Sequence, residues 1–391
     1  LCGNAFASAP SCTPSRAAVN TGRHFFRNGS NAQLHMPWTT DAPDPFAAVR
    51  GIAQILRDDA GYHIGHTGKV HMRASLAGDR TDRHDAAGHD MNRYSQQVSK
   101  ADDPAAAKAR ILEQVRANFR AFLARRKPGQ PLYYSFNPTN THRKWERGSG
   151  QSLWRLDPEA LKGSLPPFLP DVPEVREDLA DYLGEAMAFD AFCGVIVAEL
   201  EKLGELDNTL VVVSGDHGAP GFPYGKTNVS DFGARVPLAL RWPKRILPGR
   251  AVAAPVSLID LAPTFLAAAG LEREPGMDGQ NLLPVLAGKR GDSALRGWAL
   301  IGREVHVHDA REGSLPYPVR ALRTRDFLYV ANFKPERWPA GAPLEADSET
   351  PPPFALWARN TMLGYKDIDA SPTKAWMVWH RDRAHTAWRK A

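Results

Sequence analysis

The chain has 391 residues, 43% hydrophobic and 24% charged, with a net charge of +6. That is enough for a large core and two domains, and the positive balance suits either an anionic substrate or simply a solvated, Arg-rich surface. No apolar run approaches the roughly 18 residues of a membrane span, three cysteines cannot build a disulfide scaffold, and no basic stripe interleaved with aromatics supports nucleic-acid binding. The chain opens on Leu1-Cys2-Gly3-Asn4, with neither an initiator Met nor a charged-then-apolar leader, so it reads as a piece lacking its beginning.

The first chemistry-bearing segment is Cys12-Thr13-Pro14-Ser15-Arg16, followed by Thr21-Gly22-Arg23. Pro14 fixes a turn, Ser15 is expected to cap the next helix, and Arg16 sets a fixed positive charge beside Cys12. Cys2 and Cys193 sit in no such frame and read as small core hydrophobes.

Next comes Gly65-His66-Thr67-Gly68-Lys69-Val70-His71. Lys69 and His71 are two apart, so on an extended segment they face one side, pairing a point charge with a proton-exchanging group. His63 and His66 read as structural. Residues 104–125 predict a helix and 131–136 (PLYYSF) a strand, after which Thr141-His142-Arg143 lies in a loop. His142 there is either a proton donor or anion ligand, or a surface histidine. Residues 175–203 carry apolar positions at helical spacing and end at Gly204.

Residues 209–214 (TLVVVS) form a β-branched run, expected to be a strand buried on both faces. It runs straight into Gly215-Asp216-His217-Gly218. An acid just past a buried strand suits a hard divalent cation, and a helix N-cap is the competing reading of Asp216. Lys226 follows in Tyr224-Gly225-Lys226-Thr227-Asn228 and is either a clamp for an anionic oxygen or an exposed loop lysine. Residues 236–242 predict a further strand and 258–269 a helix. Alternating strands and helices predict an α/β domain with a mixed, mostly parallel sheet over residues 1–290. Residues 298–301, 318–323 and 327–333 predict a short antiparallel sheet in a smaller unit, 291–391. Residues 339–353 read as loop, with short helices expected at 355–361 and 371–383. Arg303, His306 and His308 follow the first of those strands and are candidates to line a substrate pocket.

These segments together resemble the type I sulfatases of the alkaline phosphatase superfamily, from about Ala5 to the end of the chain. The motifs are C-x-P-S-R with T-G-R, TGKVH at 67–71, SGDHG at 214–218, and GKTN at 225–228 followed by RVPLALRWP. Within the family the likeness is to the sulfamidases (heparan N-sulfatases) and their bacterial relatives, on residues 4–17, 200–218, 222–228 and 317–339. The resemblance implies an alkaline-phosphatase-like fold. It also implies that a formylglycine-generating, or sulfatase-maturating, enzyme oxidises Cys12 to formylglycine, whose hydrate attacks sulfur and forms a covalent sulfo-enzyme intermediate.

By the same resemblance, Arg16 and Lys69 steady the diol and sulfuryl oxygens, and His71 assists elimination of sulfate. His142 and Lys226 contact the sulfuryl group, while Asp216, His217 and the modified Cys12 hold a divalent cation, Ca²⁺ or alternatively Mg²⁺. The substrate implied is a sulfate ester or N-sulfate of a sulfated sugar, as in glycosaminoglycan degradation, in an exported or lysosomal setting. The alternatives are a phosphonate or phosphate monoester hydrolase of the same superfamily, and a non-catalytic binder of sulfated glycans.

The chain departs from the family pattern in four places. The family's first strand, ending in two adjacent aspartates that ligate the metal, would precede Leu1, so half a cation site and a sheet lacking a central strand are expected. An acidic ELYD segment of many relatives would follow the end. His142 lies in PTNTHR rather than a shorter Pro-His, and Lys226 replaces an Arg, keeping charge but losing the bidentate fork.

Overall fold

The computed structural model describes residues 1–29, 49–70 and 82–381. Strand β1 (Cys2–Phe6) lies inside a mixed four-stranded sheet with β4 (Val211–Ser214), β5 (Arg235–Arg241) and β6 (Val256–Ser257), in the order β4-β5-β1-β6. β5 runs antiparallel to both neighbours, and β1 pairs parallel with β6. Because β5 reverses, β1 and β4 point the same way. A second, parallel pair joins β2 (His63–Gly68) to β3 (Leu132–Asn137) in an unbroken register from His63↔Leu132 to Gly68↔Asn137.

Helices cover these strands. α1 (Cys12–Thr21) follows β1 and ends at Gly22, whose φ of +64° is the left-handed cap that glycine accepts without strain. α2 (Ile52–Ala60) precedes β2. α3 (Pro104–Leu123) starts at Asp103, whose carboxylate accepts from the amides of Ala105 and Ala106. α4 (Ser149–Trp154) is short, and α5 (Pro173–Lys202) is the longest helix described. α6 (Leu261–Ala268) packs with α1 and α2, where Ala262, Leu266, Ile52, Ile55 and Met277 close one part of the core.

The predicted strand at 209–214 appears as β4, but its residues are half-buried rather than buried on both faces. β4 is the end strand of its sheet, and a cavity of about 990 Å³ borders it. Tyr133, Ser135 and Asn137 of β3 line the same cavity, together with Cys193 of α5, and it reaches Arg16, Lys69 and Asp216. β5 shows alternating burial, as expected of a strand with one face on the core.

A three-stranded antiparallel sheet holds β7 (Trp298–Arg303), β8 (Val319–Thr324) and β9 (Leu328–Asn332), in that order. Ala299, Ile301, Val319 and Ala321 on it share a core cluster with Phe6, Val229 and Ala234, so the sheet is packed against the β1/β5 region. The C-terminal part adds α7 (Pro372–Trp379), capped by Ser371 through the amide of Lys374. No helix among the described residues is long and apolar enough to cross a membrane.

Candidate active site

Four strands end at one place. β1 leads through residues 7–11 into Cys12, β2 into Lys69, β3 into the loop of His142, and β4 into Asp216 and His217. This is the side of an open α/β sheet where ligands bind.

Cys12 is the first residue of α1 and is buried. The helix start favours negative charge there. Ser11, the N-cap, is extended and makes no side-chain cap bond; its hydroxyl lies 2.9 Å from Nδ1 of His306. Ser15 does not cap the helix as expected. It sits one turn in, and its hydroxyl donates to the carbonyl of Asp216 at 2.6 Å, tying the nucleophile helix to the turn after β4. Pro14 fits inside the first turn, where no amide partner is required.

Cys12 Sγ lies 3.2 Å from Nε2 of His217. The other ring nitrogen of His217 is 2.8 Å from the carbonyl of Gly218, which can only accept, so that network assigns its proton to Nδ1. Burial disfavours the imidazolium, but Asp216 and Cys12 more than offset it and raise His217 above the ordinary histidine range. The turn is tight: a Cβ on Gly218 would stand 1.9 Å from the carbonyl oxygen of Phe232.

Arg16 bridges the two sheets. Its Nε donates to Asp216 Oδ2 at 2.8 Å, and Nη1 reaches the carbonyl of Lys69 at 3.1 Å and Oδ1 of Asn137 at 3.2 Å. Burial opposes ionisation of Asp216, but the charges of Arg16, His217 and Lys69 hold its carboxyl well below the usual range. Cys12, Asp216 and His217 offer ligand atoms all within 4.8 Å of one another. Among the described residues this set contains one carboxylate, one imidazole and one position that a modified Cys12 would convert to oxygen. Asp216 and that oxygen fit a hard divalent cation, and neutral His217 can complete the set once its proton is displaced.

Lys226 and His142 form the opposite corner. Lys226 is buried, with Nζ 3.1 Å from Nε2 of His142 and 2.9 Å from Oδ2 of Asp369. Nδ1 of His142 faces the carbonyl of Arg143 at 2.8 Å, so Nε2 is the acceptor for the ammonium. Burial and the neighbouring Lys226 push His142 below the ordinary range and keep it neutral. Burial alone would lower Lys226, but Asp369 and Cys12 more than offset it, and Lys226 is raised. The loop is conformationally unusual: Tyr224 and the β-branched Thr227 have φ of +57° and +82°, flanking Lys226. Thr227 is held there by its amide on the carbonyl of Pro10 at 2.6 Å.

The remaining candidates separate. His306 reaches the site through Ser11 and contributes to the field at Asp369. Arg303 is buried among Asp367, Tyr317 and the carbonyl of Pro339. His308 is on the surface, 3.4 Å from Asp309. His71 lies outside the described residues. Sequence reasoning missed Ser11, Asn137 and Asp369. Asn137 had a signal, a polar residue closing an apolar strand; Asp369 had none, because 143 residues separate it from Lys226.

Residues 2–271 match the family described as Sulfatase, and the chain belongs to that family of sulfuric ester hydrolases. It is 29% identical to the N-sulphoglucosamine sulphohydrolase of Homo sapiens, covering 97% of this chain and 76% of the relative. It is 24% identical to an ulvan-active sulfatase of Formosa agariphila, covering 85% of this chain and 55% of that one. Among solved structures, a protein bound to its substrate D-glucosamine-2-N,6-O-disulfate superposes with a TM-score of 0.58 at 19% identity, covering 85% of this chain and 81% of that one. The phosphonate monoester hydrolase of Silicibacter pomeroyi superposes at 0.56 and 20%, covering 85% and 79%. Both carry the same fold.

Proposed function

We propose that this chain hydrolyses a sulfate ester or sulfamate of a sulfated sugar, with Cys12, after oxidation to formylglycine, as the nucleophile. The observation that carries the reading is Cys12 at the start of α1 with Nε2 of His217 3.2 Å from its sulfur, its helix tied to the Asp216 turn through Ser15 and Arg16. The name of the human relative and the substrate of the superposed complex favour an aminosugar sulfate.

Formylglycine supplies a hydrated aldehyde, one hydroxyl of which attacks sulfur. The residues around it do the rest. Arg16 fixes the turn of Asp216 and lends positive potential at the helix start. Lys226 donates to a sulfuryl oxygen, and its ammonium needs no proton transfer to do so. His142 has Nδ1–H anchored, so proton exchange falls to its Nε2, which relays the proton lost by the attacking hydroxyl to the departing oxygen or nitrogen. Lys69 adds charge at the end of β2, and His71 is assigned the elimination step by the family pattern. Asp216 and His217 would hold a divalent cation, calcium or magnesium, which would supply positive charge to steady the nucleophile and the sulfuryl oxygens. The partner for maturation is a formylglycine-generating enzyme, and Arg303 and His308 are set aside as substrate contacts.

The test is release of sulfate from N-sulfoglucosamine and 6-O-sulfoglucosamine, and of phosphate from phenyl phosphate, by protein coexpressed with the maturating enzyme. Turnover of a sulfated sugar with Cys12→Ala inactive is expected. Preferred turnover of phenyl phosphate would move the reading to the phosphate-ester branch.

A further inference from the structure

Asp369 is the acidic group that the proposed chemistry does not use. It sits on the segment before α7, its side chain is mostly buried, and its Oδ2 accepts from Nζ of Lys226 at 2.9 Å. The charge of Lys226 acts on it, and His142 and His306 would add to that only when protonated. A site built only to attract anions would leave Lys226 uncompensated. Here the cation assigned to the sulfuryl group carries a carboxylate on its other side, and His142, 3.1 Å from the same ammonium, contributes no charge while neutral.

Sulfate monoesters and sulfamates carry one negative charge, whereas phosphate monoesters carry two above their second ionisation near pH ~6. The first charge is accommodated by Lys226 with Lys69 and the helix start. A second charge meets the Asp369 carboxylate just beyond Lys226, and like charges a few ångströms apart in a mostly buried site repel strongly. We propose that Asp369 is a specificity-determining residue that filters substrates by charge, admitting singly charged sulfate esters and sulfamates and disfavouring doubly charged phosphate esters at the same centre. This deepens the sulfatase reading and rests on it for the position of the sulfuryl group.

The test is calorimetric binding to the calcium-supplemented full chain with Cys12 left as the thiol, so that nothing turns over, at a pH where phenyl phosphate is fully dianionic. Wild type is expected to bind phenyl sulfate more tightly than phenyl phosphate. Asp369→Asn is expected to shrink that preference by about tenfold or more, an effect of one nearby charge in a protein site; Asp369→Glu should keep it. A purely structural role, in which Asp369 only holds Lys226, would weaken both ligands alike and leave the ratio unchanged, and that result overturns the proposal.

Should Asp369→Asn fail to fold, wild type alone decides. Phenyl methylphosphonate carries one charge on the same phosphorus centre and must bind more tightly than phenyl phosphate; the reverse order overturns the filter, as does the absence of binding by either. If the preference is present but the matured enzyme releases no sulfate from any sulfated sugar, the proposed activity falls and the charge filter stands.

Discussion

Arg143 and Asp178 form a two-pronged ion pair, Nη1 to Oδ1 at 2.6 Å and Nη2 to Oδ2 at 2.8 Å, and both side chains are almost fully buried. The same carboxylate accepts the hydroxyl of Thr373 at 2.6 Å. Asp178, on α5, thereby ties the loop of His142 to the segment that delivers Asp369, the two groups flanking Lys226. Removing one partner of a buried pair leaves an uncompensated charge, at a cost of about 3–5 kcal/mol. Asp178→Ala is expected to lose about that much in urea unfolding. Arg143→Met/Asp178→Leu is expected to recover much of the stability while turnover stays low, because the His142 loop is no longer tethered. Full activity in the double variant would show that the tether does not position the site.

Arg16 uses its fork, with Nε on Asp216 and Nη1 on Lys69 and Asn137. A lysine keeps the charge but cannot span these three groups. Arg16→Lys is expected to lower kcat by about 10²–10³, the scale of one preorganised electrostatic donor, with a smaller change in KM. Steady-state kinetics on a sulfated glucosamine checks it.

Two buried carboxyls on α5 predict an unusual pH dependence. Asp181 accepts from the amides of Gly148 and Gly150, and Glu185 from Ser95 and Asn140. Burial pushes Asp181 from 3.8 up to about 6, and Glu185 from 4.5 up to about 6. Folded values raised above the unfolded ones mean stability that is fully present below about pH 4 and lost as pH rises through about 6. The Tm of wild type minus that of Asp181→Asn/Glu185→Gln is therefore expected to fall between pH 4 and 7 and then level off. A constant difference would contradict the assignment.

The cluster of Cys12, Asp216 and His217 predicts that calcium raises Tm. A ligand at 100 times its Kd stabilises by about 2.7 kcal/mol, and Asp216→Asn should abolish the shift. A calcium shift unchanged in that variant would locate the ion elsewhere.

The parts legible in the sequence were those written in local pattern. The spacing in 104–125 and 175–203 gave α3 and α5, and the β-branched run gave β4. Asp216, His217 and Cys12 were marked by glycine-bracketed or proline-bearing motifs, and they meet. β1, read CGNAF, has no alternation and no β-branched residue; it is a strand because β5 and β6 flank it. The half-burial of β4 was equally hidden, since it depends on the cavity beside it rather than on Val211 to Ser214 themselves. Ser15 was misread because its hydroxyl has a distant partner, the Asp216 carbonyl, that outcompetes a local cap.

The central claim is that Cys12 is the precursor of the nucleophile. The direct measurement is mass spectrometry of the peptide spanning Cys12 in protein coexpressed with a formylglycine-generating enzyme. The account predicts a loss of about 18 Da at Cys12, from thiol to aldehyde. An unmodified thiol under those conditions would contradict it.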